Sequence, residues 1–187
     1  MVADLQAGGS RIAMEDLARY EVLESESLAA VHRGAKLHTA GPTSGGPRLL
    51  QALAHIAEHL PATSAPGPAS WRVYADALNA AWRSHNRRIG RDGESGGCTS
   101  HLSTVDGDGN MVALTYTLLN RFGSRVVLPQ SGIAMNNAVS YFDPRPGQKL
   151  SMAGGARINA SNMCPTIASR DGEAIFAIGA SGGKLIL

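Results

Sequence analysis

The sequence predicts an α+β fold with helices first and antiparallel hairpins second. Apolar residues recur at three- and four-residue steps through the first half, then gather from about residue 98 into short strand-like runs broken by glycine turns. The 187 residues are 43% hydrophobic and 17% charged, with 22 glycines and 9 prolines, which is enough apolar matter for a core and many turns around it. Seventeen basic against fifteen acidic side chains is too even a balance to favour a nucleic-acid partner. No apolar run reaches membrane-spanning length, and MVADLQAGGSR lacks the basic start and apolar stretch of a signal peptide. Two cysteines exclude a disulfide scaffold while leaving room for one bond. Repeats of solenoid length are absent from the sequence.

Taken in order, residues 12–20 and 24–35 read as short amphipathic helices. PRLLQALAHIAEHLP then puts Leu49, Leu50, Leu53, Ile56 and Leu60 on one helical face over residues 47–60, stopped by Pro61. TSAPGPAS is a small-residue linker, with Ser70 the expected cap of a helix over 71–84. That helix carries Trp71, Tyr74, Ala75, Leu78, Ala81 and Trp82 as its stripe, both tryptophans being read as core. The two helices are expected to lie against a sheet. RSHNRRIGRDG has no interleaved aromatics and reads as a solvated helix end.

From residue 98 the pattern changes. CTSHLSTVD and MVALTYTLL predict two strands reversing at Gly107–Asn110, and VVLPQ and GIAMNNAV two shorter ones. A polar connection covers 143–162, and PTIAS and EAIFAIGA predict a further hairpin around RDG. The unbroken MVAL and AIFAI runs predict strands buried between helical layers.

Several motifs are set aside on chemical grounds. DGDGN alternates like a calcium loop, but Met111 and Thr117 stand where such a loop needs glycine and glutamate, so it reads as a turn. GPTSGGP lacks the lysine and hydroxyl of a phosphate loop. HIAEH places Glu58 beside His59 and fails the HExxH zinc pattern. Cys98 and Cys164 have no CxxC companion and read as isolated small residues. No metal and no cofactor are expected.

Four hydroxyl- and glycine-bearing motifs remain: CTSHLS at 98–103, TYTLLN at 115–120, SNMCPTI at 161–167 and GASGG at 179–183. In this order they resemble the gamma-glutamyltransferase family (gamma-glutamyltranspeptidases, or glutathione hydrolases). TSHLSTVDGDGNMVALTYTLLN is similar to that family's TTHxS opening and the VxDxxGNxVxxTxTxN run after it. AGPTSGG is similar to PPPSSGG, SGIAMNNAVSYF to SGILLNNxMDDF, SNMCPTI to SSMSPTI, and GASGG to GSPGG.

The resemblance implies an N-terminal-nucleophile hydrolase with a four-layer αββα sandwich, of which this chain would be a part. Residues 1–98 would be the mainly helical end of the large subunit, and 99–187 most of the small subunit, mainly β hairpins, stopping just after the oxyanion motif. It further implies self-cleavage between Cys98 and Thr99. Thr99 is then the nucleophile, Thr117 its supporting hydroxyl, Ser161 and Asn162 the substrate-binding pair, and Gly182 and Gly183 the oxyanion glycines. The chemistry suits a threonine: its hydroxyl needs an adjacent base, and cleavage frees an α-amine of pKa about 7.7 on the same residue. Thr99 and Thr117 hydroxyls are expected within hydrogen-bond reach, in one pocket with Ser161 and the two glycines.

The substrate implied is a small gamma-glutamyl peptide such as glutathione, with water or an amino acid as acceptor. The family is often periplasmic or extracellular; the sequence itself assigns no compartment. Departures run beside the matches. Leu119 stands for an asparagine, Tyr141 for the aspartate that reads the donor's ammonium, and Asn162 for a serine. The connection before Thr99 is short, and the chain lacks the region expected to supply a carboxylate-clamping arginine. Two other readings therefore stand beside the first: a non-catalytic fragment or pseudoenzyme, either a gene remnant or a piece that assembles with a separately encoded large-subunit segment, and a related amide acylase with another donor. Alone, the chain is expected to stay uncut.

Overall fold

The computed structural model describes residues 1–61, 65–89, 98–147 and 161–182, with side chains omitted at 86–89. It is a mixed α+β molecule with two antiparallel sheets. Two short helices, α1 (Val2–Ala7) and α2 (Met14–Ala18), open the chain. The strands β1 (Leu28–His32) and β2 (Ala35–Thr39) follow, where a helix over 24–35 is expected from sequence. Ala, Leu and Glu favour helix locally, but Arg33 and Gly34, at φ 49° and 78°, form a two-residue reversal that commits the flanking residues to a ladder.

The helix α3 (Gly46–His59) ends where Pro61 forces Leu60 into extended backbone, φ −133° and ψ 115°. The next helix, α4 (Pro68–Ile89), starts at a proline two residues before the expected cap, so Ser70 lies inside it and donates to the Ala65 carbonyl at 3.1 Å. The strands β3 (Cys98–Val105) and β4 (Met111–Leu119) form the expected hairpin, and β5 (Thr166–Arg170) and β6 (Glu173–Ile178) the second one. Between them VVLPQ and GIAMNNAV give only a single bridge, Val127 to Ala134, followed by a 3₁₀ turn at Ala138–Tyr141.

The first sheet has the order β1-β2-β5-β6, and β3-β4 form the second, lying against β5 and β6. Ala35, Leu37 and Ala168 make one core, capped by Leu53 from α3. Ala52, Ala77 and Ala81, with Ile56, make another between α3 and α4. Thus α3 rests on the sheet while α4 rests on α3, rather than both lying on the sheet. The expected stripe of α4 is also rotated. Small Ala77 and Ala81 are the fully buried contacts, letting the helices approach closely, while Trp71 is 61% exposed. Trp82 does pack, with the Arg48 guanidinium 4.9 Å from its ring centre.

The expected burial of both strand faces does not hold for the hairpin. One face of β3-β4 leaves Leu102, Val112, Leu114 and Tyr116 exposed. Among the described residues no helix is long and apolar enough to cross a membrane.

Candidate active site

Strand alternation puts Thr99 and His101 of β3 on one face of the hairpin, opposite Thr117 and Thr115 of β4 in direct register. The loop that sets this register is tied by Asp106. Its carboxylate accepts from the Asp108 and Asn110 backbone N–H groups at 3.0 and 2.9 Å, and from the Asn110 amide at 2.8 Å. Those bonds, the Asn110 amide first, hold the Asp106 pKa below its ordinary value.

At the other end of the hairpin the ladder breaks. Leu119, not Leu118, stands opposite Cys98, a bulge that leaves Leu119 at φ 74°. The bulge turns Thr117 towards the chain before Thr99. Its hydroxyl donates to the Cys98 carbonyl at 2.8 Å and accepts from the Leu119 N–H at 2.8 Å. The expected bond from Thr117 to the Thr99 hydroxyl is therefore replaced, in the uncut chain, by a bond to the carbonyl that precedes Thr99.

Thr99 is held on its free edge by Gly182. The Thr99 N–H donates to the Gly182 carbonyl at 3.0 Å, and the Gly182 N–H returns to the Thr99 carbonyl at 3.2 Å. The Gly182 N–H is thus engaged by the backbone here rather than aimed at an empty oxyanion position. Gly183 lies outside the described residues.

His101 is a site residue that the sequence reading passed over. Its ring nitrogens meet the Thr115 hydroxyl at 2.7 Å and the Ser103 hydroxyl at 3.0 Å. The ring lies flat against Gly179, whose missing Cβ would collide with the imidazole. This contact locks the TSHLS strand to the GASGG segment. The signal was available in the sequence: a histidine two residues from Thr99 must share its face of the strand.

Thr117 lines a cavity of about 490 Å³ together with Thr43, Asn136, Tyr141, Ser161 and Met163 among others. The AGPTSGG loop forms its far wall by docking on SNMCP. The Gly45 N–H donates to the Met163 carbonyl at 2.9 Å, and a Cβ on Gly45 would lie 2.6 Å from the Asn162 carbonyl oxygen. Ser161 is anchored by its N–H on the Thr43 carbonyl at 2.9 Å, and its hydroxyl accepts from the Met163 N–H at 3.1 Å. Thr117 and Ser161 therefore share one cavity, whereas Asn162 presents its backbone to Gly45 and is not among the lining residues. On the Cys98 side lies a second cavity of about 660 Å³, carrying Arg121 and Arg125. Asn136 faces the first cavity and Asn137 the second.

A sequence model of the gamma-glutamyltranspeptidase family matches residues 1–92 and 79–187, which together take in the whole chain. The chain belongs to the gamma-glutamyltranspeptidase family. Among its relatives, the glutathione hydrolase proenzyme of Escherichia coli K12 is 29% identical, over 98% of this chain and 40% of the relative. The acylase ACY 1 proenzyme of Pseudomonas sp. SE83 is 36% identical, over 62% of this chain and 21% of its own. The cephalosporin acylase of Bacillus halodurans shares the fold, with a TM-score of 0.74 at 24% identity over 94% of this chain and 38% of that one. The chain thus spans about two fifths of the length of the glutathione hydrolase and of the acylase structure. The hairpin, the AGPTSGG loop and SNMCP meet at the cavity beside Thr117, and Gly182 bridges Thr99, while Thr99 and Gly182 are not among the described residues that line that cavity.

Proposed function

We propose that this chain supplies the nucleophile-bearing part of an N-terminal-nucleophile enzyme that transfers or hydrolyses the acyl group of an amide through Thr99. The observation that carries this reading is the Thr117 hydroxyl, bonded to the Cys98 carbonyl directly across from Thr99. When Thr99 Oγ1 attacks that carbonyl, negative charge grows on the oxygen that Thr117 already faces, and a donor placed there stabilises it. The Thr99 hydroxyl proton passes to the departing nitrogen, the Cys98–Thr99 C–N bond breaks, that nitrogen becomes the Thr99 α-amine, and an ester joins Cys98 to Thr99 Oγ1. Water hydrolyses that ester, leaving a Cys98 carboxylate and a free threonine hydroxyl.

Departure of Cys98 removes the acceptor that Thr117 holds in the uncut chain. Thr117 is then released to orient Thr99 Oγ1, which is the pairing expected from the sequence. The new amine takes the hydroxyl proton, Thr99 attacks the donor amide in the adjoining cavity, and the donor's amine leaves with that proton; water or an amine acceptor then attacks the Thr99 ester, taking the acyl group and restoring the hydroxyl. Ser161 holds the acyl chain, with Asn162 behind it in the chain. Release of the Gly182 N–H from the Thr99 carbonyl, together with Gly183, provides the oxyanion donors for this step.

The donors named by the family resemblance are gamma-glutamyl amides such as glutathione. A related amide acylase is the second reading, supported by Tyr141 and Ala138 in the cavity wall. The exposed apolar faces of the strands and of α4 are the surfaces on which a large-subunit segment would complete a four-layer αββα sandwich.

Peptide mapping of the protein from its native cells tests the reading. The expected result is a new N-terminus at Thr99 that is absent from Thr99→Ala. A wild-type protein that stays joined at Cys98–Thr99, or a variant cut equally fast, would overturn it.

A further inference from the structure

From the chemistry of the cavity beside Thr117, we infer that the acyl donor of this protein carries an uncharged acyl chain without a free ammonium group. The inference rests on the proposed role of Thr99 and narrows its substrate. None of the eleven described residues lining the cavity is Asp, Glu, Lys, Arg or His. They offer hydroxyls from Thr43, Thr117 and Ser161, an amide from Asn136, and apolar surface from Ala138 and Met163.

A group of about 490 Å³ falls in the usual range for a small-molecule site, so an acyl chain fits. An ammonium entering it sheds water and meets, among the described residues, neutral dipoles that repay little of the cost of desolvation. The first carboxylate after Tyr141 in sequence, Asp143, is already committed. It accepts from Arg145 Nε at 2.9 Å and pairs with Arg145 Nη2 at 2.6 Å. Arg121 and Arg125 line the other cavity, on the Cys98 side. Among the described residues charge is thus segregated: the lining beside Thr117 is neutral, and that of its neighbour carries two arginines. Neutral hydroxyls and an amide suit a chain with hydrogen-bonding or purely apolar substituents, held by contact and by the Ser161 and Asn136 dipoles.

The test compares two probes that share a leaving group and an acyl backbone. Butyryl p-nitroanilide retains the chain of gamma-glutamyl p-nitroanilide without its ammonium and carboxylate. Equilibrium binding of each is measured on the purified Thr99→Ala protein, which cannot turn them over. Butyryl p-nitroanilide is expected to bind at least about tenfold more tightly, a gap of about 1.4 kcal/mol. Tyr141→Asp is expected to close or invert that gap by supplying a carboxylate. Ala138→Asp serves the same purpose should the first variant fold poorly.

Equal or tighter binding of the gamma-glutamyl probe by the unsubstituted cavity would overturn the inference. So would binding of neither probe, since the cavity would then not be a donor site. The reading of Thr99 fails separately: the binding preference persists, but no N-terminus forms at Thr99 in the native protein.

Discussion

The helical half and the hairpin are held together in different ways. In α3, α4 and the four-stranded sheet, stability comes from close packing of small apolar side chains, with Ala77, Ala81 and Ala168 at 0% exposure. The β3-β4 hairpin has one exposed apolar face and is fixed by a few directional contacts: Thr99 with Gly182, His101 with Thr115 and Gly179, Thr117 with Cys98. Packing tolerates small shifts of contact, whereas a hydroxyl aimed at one carbonyl does not. Substitutions in the two regions should therefore separate: those in the first lower stability, and those in the second disturb the geometry around Thr99.

The largest effect is expected from Thr117→Val, which keeps the shape of the side chain and removes the hydroxyl. Loss of one donor at a developing oxyanion typically costs about 10²–10³ in rate, or about 3 kcal/mol. Formation of the Thr99 N-terminus should slow by that order, with Thr117→Ser retaining most of it, while the melting temperature changes little. A fast Thr117→Val protein would mean that its bond to the Cys98 carbonyl is only structural.

Gly179→Ala is expected next. Its Cβ would enter the space of the His101 ring, so the ring must move and take the hairpin with it. A displacement near 1 Å at a reacting centre can cost about 10²-fold. Cleavage should fall on that scale, and hydrogen exchange at the Thr99 and Gly182 amides should accelerate, with the β1-β2-β5-β6 sheet still protected. Unchanged exchange at those two amides would break the claimed link between His101 and the Thr99–Gly182 pair. The opposite signature is expected from Ala81→Leu between α3 and α4. Overpacking there should cost about 1–3 kcal/mol in denaturant unfolding and leave the rate of cleavage per folded molecule unchanged.

The same contrast decides what was legible in the sequence. The hairpins at 98–119 and 166–178 could be read because short strand-like apolar runs flank the turn sequences DGDGN and RDG. The β1-β2 hairpin could not, because alanine- and glutamate-rich residues 24–35 satisfy a helical period, and the deciding Arg33-Gly34 reversal is only two residues long. For α4 the spacing predicts an inward stripe of Trp71, Tyr74, Ala75, Leu78, Ala81 and Trp82; Ala81 is buried, but Trp71 and Leu78 are exposed. In the structure the partner helix lies so close that alanine occupies that face. The motifs predict one pocket for Thr99, Thr117, Ser161 and Gly182; the structure pairs Thr99 with Thr117 and with Gly182, and puts Thr117 with Ser161 in a cavity that the other two do not line. The direction of the Thr117 hydroxyl was beyond them, since it depends on a bulge that shifts register by one residue.

The smallest effect concerns the loop that sets the hairpin register. Asp106 accepts three hydrogen bonds as a carboxylate, and its pKa is lowered chiefly by the Asn110 amide and the Asn110 N–H. A carboxylate whose folded pKa is depressed contributes stability that is fully present above its unfolded pKa. That contribution is lost as the pH falls through the folded value. Acid should therefore loosen the Asp106–Asn110 loop, while neutral and mildly basic conditions leave it unaffected. The group is fully exposed, so solvent screens the effect and it should be small. Denaturant unfolding of wild type and Asp106→Asn across the acidic range isolates it: the gap between them should shrink as the pH falls, because protonation brings the wild type to the variant's uncharged state. A gap constant with pH would show that the Asp106 charge plays no part in holding the loop. The pairing of Thr99 with Thr117 would then rest on the strands and the Gly182 bridge alone.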